Sequence, residues 1–201
     1  MKTTYLEFEE KSMQQIAQAG GIVLDVGGGS RFMKGMKKYE SLFASCSYKT
    51  MDISTDYNPD IVGDIHALPL EENSIDAIIC RSVLEHVRYP DQAAKEMFRV
   101  LKPGGLLFVQ VPSTYPYHAR TGHGAYPDYW RFFESTLREL FSSFSTVEIV
   151  RHGGWFSAMA FFLPLQAKLG RVWGCIAWYA DQVFRTEKRT TTPILYCLAK
   201  K

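Results

Sequence analysis

The chain has 201 residues, 46% of them apolar and 22% charged, and its 23 basic and 21 acidic side chains leave a net charge of +2. That length and composition suit one globular domain spanning 1–201, and the well-mixed charges give no electrostatic footprint for nucleic acid. The four cysteines have no CxxC or paired spacing and read as buried thiols of a reducing compartment; acids stand where a signal peptide would be apolar, so export is not indicated and a cytoplasmic location is expected.

Leu6, Met13, Ile16 and Ala17 fall roughly on one helical face, and Gly20 and Gly21 predict a left-handed end to that helix. "GIVLDV" (21–26) is a short, β-branched, nearly continuous apolar run, the pattern of a parallel strand covered on both faces. Further strands are predicted at "YKTMDI" (48–53), "DIVGDI" (60–65) and "IDAIIC" (75–80). Asp91 is placed to cap a helix "DQAAKEMFRVL", with Ala94, Met97, Phe98 and Leu101 as its apolar stripe and "KPGG" (102–105) as its end. "LLFVQV" (106–111) is a fifth strand, a helix is expected near Ser135 to Phe144, and "TVEIV" (146–150) and "PILYCLA" (193–199) are late strands. The alternation predicts an α/β, Rossmann-like, doubly wound and mostly parallel seven-stranded sheet with helices on both faces.

In such sheets ligands bind at the carboxyl ends of the strands. Gly27, Gly28 and Gly29 stand at the end of the first strand, where glycine permits a tight turn into a helix and lets a ligand touch main chain. Asp52 ends the second strand, where a carboxylate can accept both hydroxyls of a ribose. That placement alone also fits NAD, but Phe32 occupies the third glycine position of a dinucleotide fingerprint and Arg31 crowds the helix N-terminus, against a pyrophosphate cradle.

"VLDVGGGS", "MDIS", "GDIHALPLEENSIDAIICRSVLEHV" and "AAKEMFRVLKPGGLLFVQVP", in that order, resemble the class I S-adenosylmethionine-dependent methyltransferases of the small-molecule type, from about residue 21 to 150 and again in the last strand. The resemblance implies that Gly27, Gly28 and Gly29 carry the methionine part of S-adenosylmethionine, Asp25 helps hold its amino group, and Asp52 takes the ribose hydroxyls. It implies further that Ile53 packs on the adenine, Asp64 accepts from the adenine amino group beside Ile65, and Arg81 and Ser82 stand near the methionine carboxylate or the sulfonium. Arg31, where the family often has a further glycine, is expected to face solvent.

Two segments exceed what the sheet needs, a loop at 112–134 and an insertion at 153–192, and long loops in compact domains tend to be functional. The loop offers Tyr117, Tyr126, Tyr129, Trp130 and Arg131 for stacking and hydrogen bonding to a substrate ring or sugar. Its "HGAYPDYWRFF" resembles the "HDYWRF" segment of methyltransferases encoded with cell-surface polysaccharide enzymes. His118 or His123 is a candidate general base and Asp128 a group that can orient it; the bland alternative has Tyr129, Trp130 and Phe132 anchoring the loop and the histidines solvated. No third ligand accompanies His118 and His123 at convincing spacing, so no metal site is expected, and His86 is expected to pack or cap.

In the insertion, "GWFSAMAFFLPLQAKLGRVWGCIAWYADQVF" (154–184) is broken by Pro164, Lys168 and Arg171 and is too interrupted to span a membrane. It is expected either to pack as a helical pair lining an apolar pocket or a dimer contact, or to lie in a membrane interface with Trp155, Trp173 and Trp178 at headgroup depth and the basic "RTEKRTTT" beside it, peripheral to the inner face. The expected activity is methyl transfer to an oxygen, ahead of nitrogen or carbon, of a small molecule, glycan or lipid-linked acceptor, releasing S-adenosylhomocysteine. A non-catalytic cofactor-binding or membrane-interface scaffold of the same fold is the alternative.

Overall fold

The computed structural model describes residues 4–122, 124–163, 166–186 and 191–201. Seven strands form one sheet: β1 (Ile22–Val26), β2 (Ser47–Asp52), β3 (Ile61–Val62), β4 (Ile75–Arg81), β5 (Leu101–Pro112), β6 (Thr146–Arg151) and β7 (Ile194–Lys200). Their order is β3-β2-β1-β4-β5-β7-β6, parallel except for β7, which runs antiparallel to both neighbours. Because the order reverses at β1, the ends of β1, β2 and β4 open into one crevice.

Alternate residues along each strand point to opposite faces and feed two cores. Leu24, Ile78 and Val109 pack against Ala94 and Met97 of α2 (Pro90–Val100) and Leu137 of α3 (Glu134–Leu140). Val23, Ala77, Ile79 and Phe108 pack against Phe8, Met13 and Ile16 of α1 (Thr4–Ala19). Helix α1 ends at left-handed Gly20 and Gly21, but its inward face is Phe8, Glu9, Ser12, Met13 and Ile16, with Leu6 and Ala17 only half-buried.

Three local expectations need correcting. No α-helix follows the glycine turn: Phe32, Lys34 and Gly35 all have positive φ, and the segment continues as turns and a single 3-10 turn at Met36–Tyr39. Its Met36, Tyr39 and Phe43 still cover the sheet, so the apolar requirement is met without helical continuity. Asp91 does not cap α2; Pro90 opens it, where a missing N–H costs nothing, and Tyr89 precedes it without a side-chain cap. "KPGG" belongs to β5, which starts directly at Leu101; Gly104, at φ 81, allows the chain to turn beside the register shift between Ile75 and Ala77.

The insertion after β6 folds as α4 (Trp155–Ala160) and α5 (Gln166–Phe184), which pack on each other. Pro164 and residues 187–190 lie outside the described residues. No helix among the described residues is long and apolar enough to cross a membrane. Trp155 is exposed, while Trp173 and Trp178 are half-buried. Cys80 and Cys197 are buried, Cys46 is half-buried and Cys175 is exposed, so the expectation of four buried thiols holds for two.

Candidate functional site

The cleft at the strand ends has a volume of about 720 Å³, within the ~300–1,000 Å³ typical of small-molecule sites. Gly27, Gly28 and Gly29 line it, yet the absent side chains are explained first by the protein itself. A Cβ on Gly27, at φ +62, would meet Val83 at 2.5 Å, and one on Gly28 would meet the Asp25 carboxylate at 2.5 Å. The turn is therefore wedged onto β4 and onto its own strand, leaving bare main chain as its outer surface.

Asp25 lies beneath that turn and does not line the cleft. Burial pushes its pKa up to about 6, against the opposing hydrogen bond of 2.6 Å from the Tyr48 hydroxyl. The structure places Asp25, expected to help hold a cofactor amino group, one layer below the glycine main chain that lines the cleft. Asp52 does line the cleft and accepts from the Gly29 amide at 3.2 Å and the Ser54 amide at 3.0 Å, which fixes the turns on both sides of it. The neighbouring Ile53 is 71% exposed and lines the cleft beside Asp52. Asp64 and Ile65 form the continuation of this wall. Burial works against ionised Asp64, but the His66 amide at 2.9 Å and ring at 2.6 Å keep it below the usual carboxylate range.

Arg81 and Ser82 also line the cleft, Ser82 with φ 51. The Arg81 guanidinium, however, turns inward, 3.3 Å from the buried Glu9 of α1, which Lys38 also meets at 2.9 Å. The cation presented beside the glycine turn is instead Lys34, whose Nζ donates to the carbonyls of Arg81 at 3.1 Å and Ser82 at 3.2 Å. Sequence reasoning passed over Lys34, whose only signal is its place shortly after the glycines. Arg31 faces outward and pairs with Asp60 at 2.9 Å.

The loop 112–134 runs from the end of β5 across the mouth of the cleft to the end of β2. Gly124 donates to Asp56 at 2.8 Å, and Arg120 donates to the Tyr57 hydroxyl at 3.1 Å. His118, Tyr126 and Tyr129 line the cleft, as does Tyr115. Tyr117 is 76% exposed and outside the lining. The other two expected substrate residues anchor the loop: the Trp130 indole donates to the Val87 carbonyl at 2.9 Å, and Arg131 donates to Asp128 and to the carbonyls of Tyr115 and Pro116. Asp128 lies behind the lining, where Arg131 holds its pKa down at about 2; it accepts from the His118 amide at 2.8 Å. His123 lies outside the described residues.

His118 does not stand alone. Its Nε2 is 3.7 Å from Glu85 Oε1, and His86 Nε2 is also 3.7 Å from that atom. Glu85 is wholly buried. Its carboxylate is the main cause that raises the pKa of His118, whereas desolvation lowers that of His86. Glu85 and His86 come from the turn after β4, far from the loop in sequence, which is why spacing could not join them to His118 and why His86 was expected only to pack or cap.

The donor set suits a nucleoside with an amino-acid tail: Asp52 for a diol, exposed Ile53 for a base, bare main chain and Lys34 for a zwitterionic end. The doubly wound sheet, with an acid at the second strand end beside a glycine turn, defines an α/β domain of the Rossmann-like class. Residues 24–109 match the family described as methyltransferase domain. The chain is 34% identical over 102 residues to an uncharacterized methyltransferase of Mycobacterium ulcerans, covering 44% of this chain and 38% of that protein. It is 32% identical over 108 residues to the ubiquinone/menaquinone biosynthesis C-methyltransferase UbiE of Vibrio cholerae, covering 46% of this chain and 42% of that protein. It therefore spans less than half the length of these relatives. A S-adenosylmethionine-dependent methyltransferase from Archaeoglobus fulgidus has the same fold, at TM-score 0.57 and 15% identity, over 99% of this chain and 100% of that one. Residues 24–109 thus resemble a methyltransferase domain, and the whole chain shares the fold of an S-adenosylmethionine-dependent methyltransferase.

Proposed function

We propose that the chain binds S-adenosylmethionine in this cleft and transfers its methyl group to an acceptor held under the 112–134 loop. The observation that carries the reading is that one cavity joins the Asp52, Ile53 and Lys34 side to the His118, Tyr115 and Tyr126 side, so donor and acceptor subsites are continuous. The cofactor supplies an electrophilic methyl on a sulfonium. The protein's own contribution is alignment, which can supply roughly 7–11 kcal/mol of rate acceleration, and exclusion of water by the loop.

The acceptor atom is an oxygen, ahead of nitrogen or carbon. As it bonds to the methyl carbon the carbon–sulfur bond breaks, its electron pair stays on sulfur, and the acceptor proton leaves at the cluster of Glu85, His86 and His118. The similarity to a UbiE C-methyltransferase, over 46% of this chain, makes carbon the first competitor. We read the acceptor as a small molecule, glycan or lipid-linked compound. In support, Phe161 at the end of α4 packs at a tilt against the cleft residue Tyr115, ring centroids 4.8 Å apart, and α5 exposes Val172, Ile176, Tyr179 and Val183 along one side. That stripe also supports peripheral membrane contact through 154–184, with pairing to a second copy as the competing use.

Calorimetric titration with S-adenosylhomocysteine and, separately, NAD tests the cofactor claim. We expect micromolar binding of the former that Asp52→Ala weakens by ~1.5–3 kcal/mol, the cost of a lost charge-assisted hydrogen bond. Binding of NAD alone, or of neither, would overturn it.

A further inference from the structure

Glu85, His86 and His118 offer one ligand atom each within 4.8 Å of one another, and all three line the cleft. The Glu85 side chain is wholly buried, yet neither of its oxygens has a hydrogen-bond partner. A buried carboxylate without partners costs several kcal/mol, so an arrangement that keeps one needs an occupant. The two histidine Nε2 atoms are both 3.7 Å from Oε1, too long for hydrogen bonds. Three ligand atoms bound tetrahedrally at ~2.1 Å to one cation stand roughly 3.4 Å apart, close to the two Glu85–histidine separations of 3.7 Å, while the whole set lies within 4.8 Å.

The histidine tautomers point the same way. His86 Nδ1 is 2.6 Å from the Pro127 carbonyl, which can only accept. His118 Nδ1 has the Pro116 carbonyl at 3.2 Å and Asp128 Oδ2 at 3.3 Å; Arg131, at 3.4 Å, is farther away and already donates to Asp128. With the proton on Nδ1, each Nε2 presents a lone pair towards Glu85, and the outer acceptors hold both rings in orientation, as around metal-bound imidazoles.

We infer that Glu85, His86 and His118 form a site for a divalent transition-metal ion, zinc in the first instance, with a coordination position open to the cleft. Two imidazole nitrogens and one carboxylate suit zinc or iron(II), whereas magnesium and calcium favour all-oxygen sets. The role of the ion rests on the methyltransferase reading, although the site itself does not. With the ion bound, the histidine Nε2 lone pairs are occupied, so a hydroxyl acceptor at the open position would lose its proton to solvent on coordination rather than to the cluster, and its oxygen would take the methyl carbon as the carbon–sulfur bond breaks with its electron pair left on sulfur.

The test is titration of metal-free, untagged protein with Zn2+ by calorimetry, and with Co2+ followed by its visible absorption. We expect one ion per chain at micromolar or tighter affinity, a Co2+ spectrum intensified over that of the free ion, and no comparable binding of Mg2+. Glu85→Gln and His118→Gln should each weaken Zn2+ at least tenfold. Because Glu85 is buried and its variant can lose the fold, the His118 variant, on a loop, is decisive provided its thermal unfolding matches the parent. Failure of folded parent to bind Zn2+, or equal binding by His118→Gln, overturns the site. Binding of S-adenosylhomocysteine, which His118→Gln should leave within about twofold, separates failure of the metal site from failure of the cofactor reading.

Discussion

The sheet and the α4–α5 hairpin bury their apolar residues to very different degrees. Val23, Leu24, Ile78, Ile79 and Phe108 are fully enclosed between two layers, while Ile176, Tyr179, Val183 and Phe184 remain more than half exposed. The sheet is held by area. The hairpin is held to a large extent by one carboxylate: buried Asp181 of α5 accepts from the amides of Gly154, Phe156 and Ser157 at the start of α4 and from the hydroxyls of Ser157 and Thr186. Those donors keep its pKa low although burial opposes its charge. A surface so anchored can afford an apolar outer face, which is what an interface with lipid or another apolar partner requires.

The largest test of this contrast is Asp181→Ala. Removing the acceptor strands several buried donors, and we expect a loss of roughly 3–5 kcal/mol, as for breaking a buried charged network. The loss should be confined to the hairpin: amide exchange should rise through α4 and α5, while affinity for S-adenosylhomocysteine changes by less than about twofold. A concerted loss of protection in β1 and β4 would show that the two regions unfold as one.

A test of the sheet side uses pH. Burial holds His152 at about 4 against 6.5 in the unfolded chain, so below pH 6.5 the unfolded state takes up the proton and stability falls as pH drops to about 4. Asp25 has the opposite sign: its native value of about 6 against 3.8 means that the native state keeps a proton the unfolded chain has lost, so stability rises as pH falls from about 6 towards 3.8. Each is worth roughly 3 kcal/mol, and the slopes oppose between pH 4 and 6. Urea unfolding of Asp25→Asn should remove the opposing Asp25 contribution, with steeper acid destabilisation between about pH 6 and 4 and greater stability at pH 7. His152→Phe, which retains the stack with Tyr5 at 3.7 Å, should invert the slope. Identical pH profiles for both variants would contradict the assignment.

The smallest expected effect is on α5. Replacing Val172, Ile176 and Val183 together by serine should change unfolding free energy by no more than about 0.5 kcal/mol per site, as at surface positions, while lowering sedimentation with lipid vesicles several-fold. A core-sized destabilisation would mean that the stripe is covered in the folded chain in solution.

The same contrast explains what the sequence made legible. Continuous β-branched runs such as "IVLDV" can be satisfied only between two layers, so the sheet and its acidic strand ends were readable. The segment after the glycines was not: Phe32 adopts φ 57 and stacks on Tyr48 at 4.4 Å, a tertiary preference that defeats the helix. Arg81 lines the cleft as the resemblance implies, but buried Glu9 on a different element draws its guanidinium inward, a contact that no local pattern records. Glu85 and His118 meet only because the 112–134 loop doubles back over the strand ends, and no local pattern records such a meeting.

The wedge position of β7 also sets an order of events. Among the described residues strand β6 pairs with β7 alone, and β7 links it to β5, so during synthesis β6 and the apolar α4–α5 hairpin emerge before the strand that joins them to the sheet exists. A nascent chain must hold that greasy segment in waiting until residues 194–200 insert between β5 and β6. Long-range closures of this kind are slow and prone to misassembly, which makes this interval the point of greatest need for a chaperone or for a bilayer that shelters the hairpin.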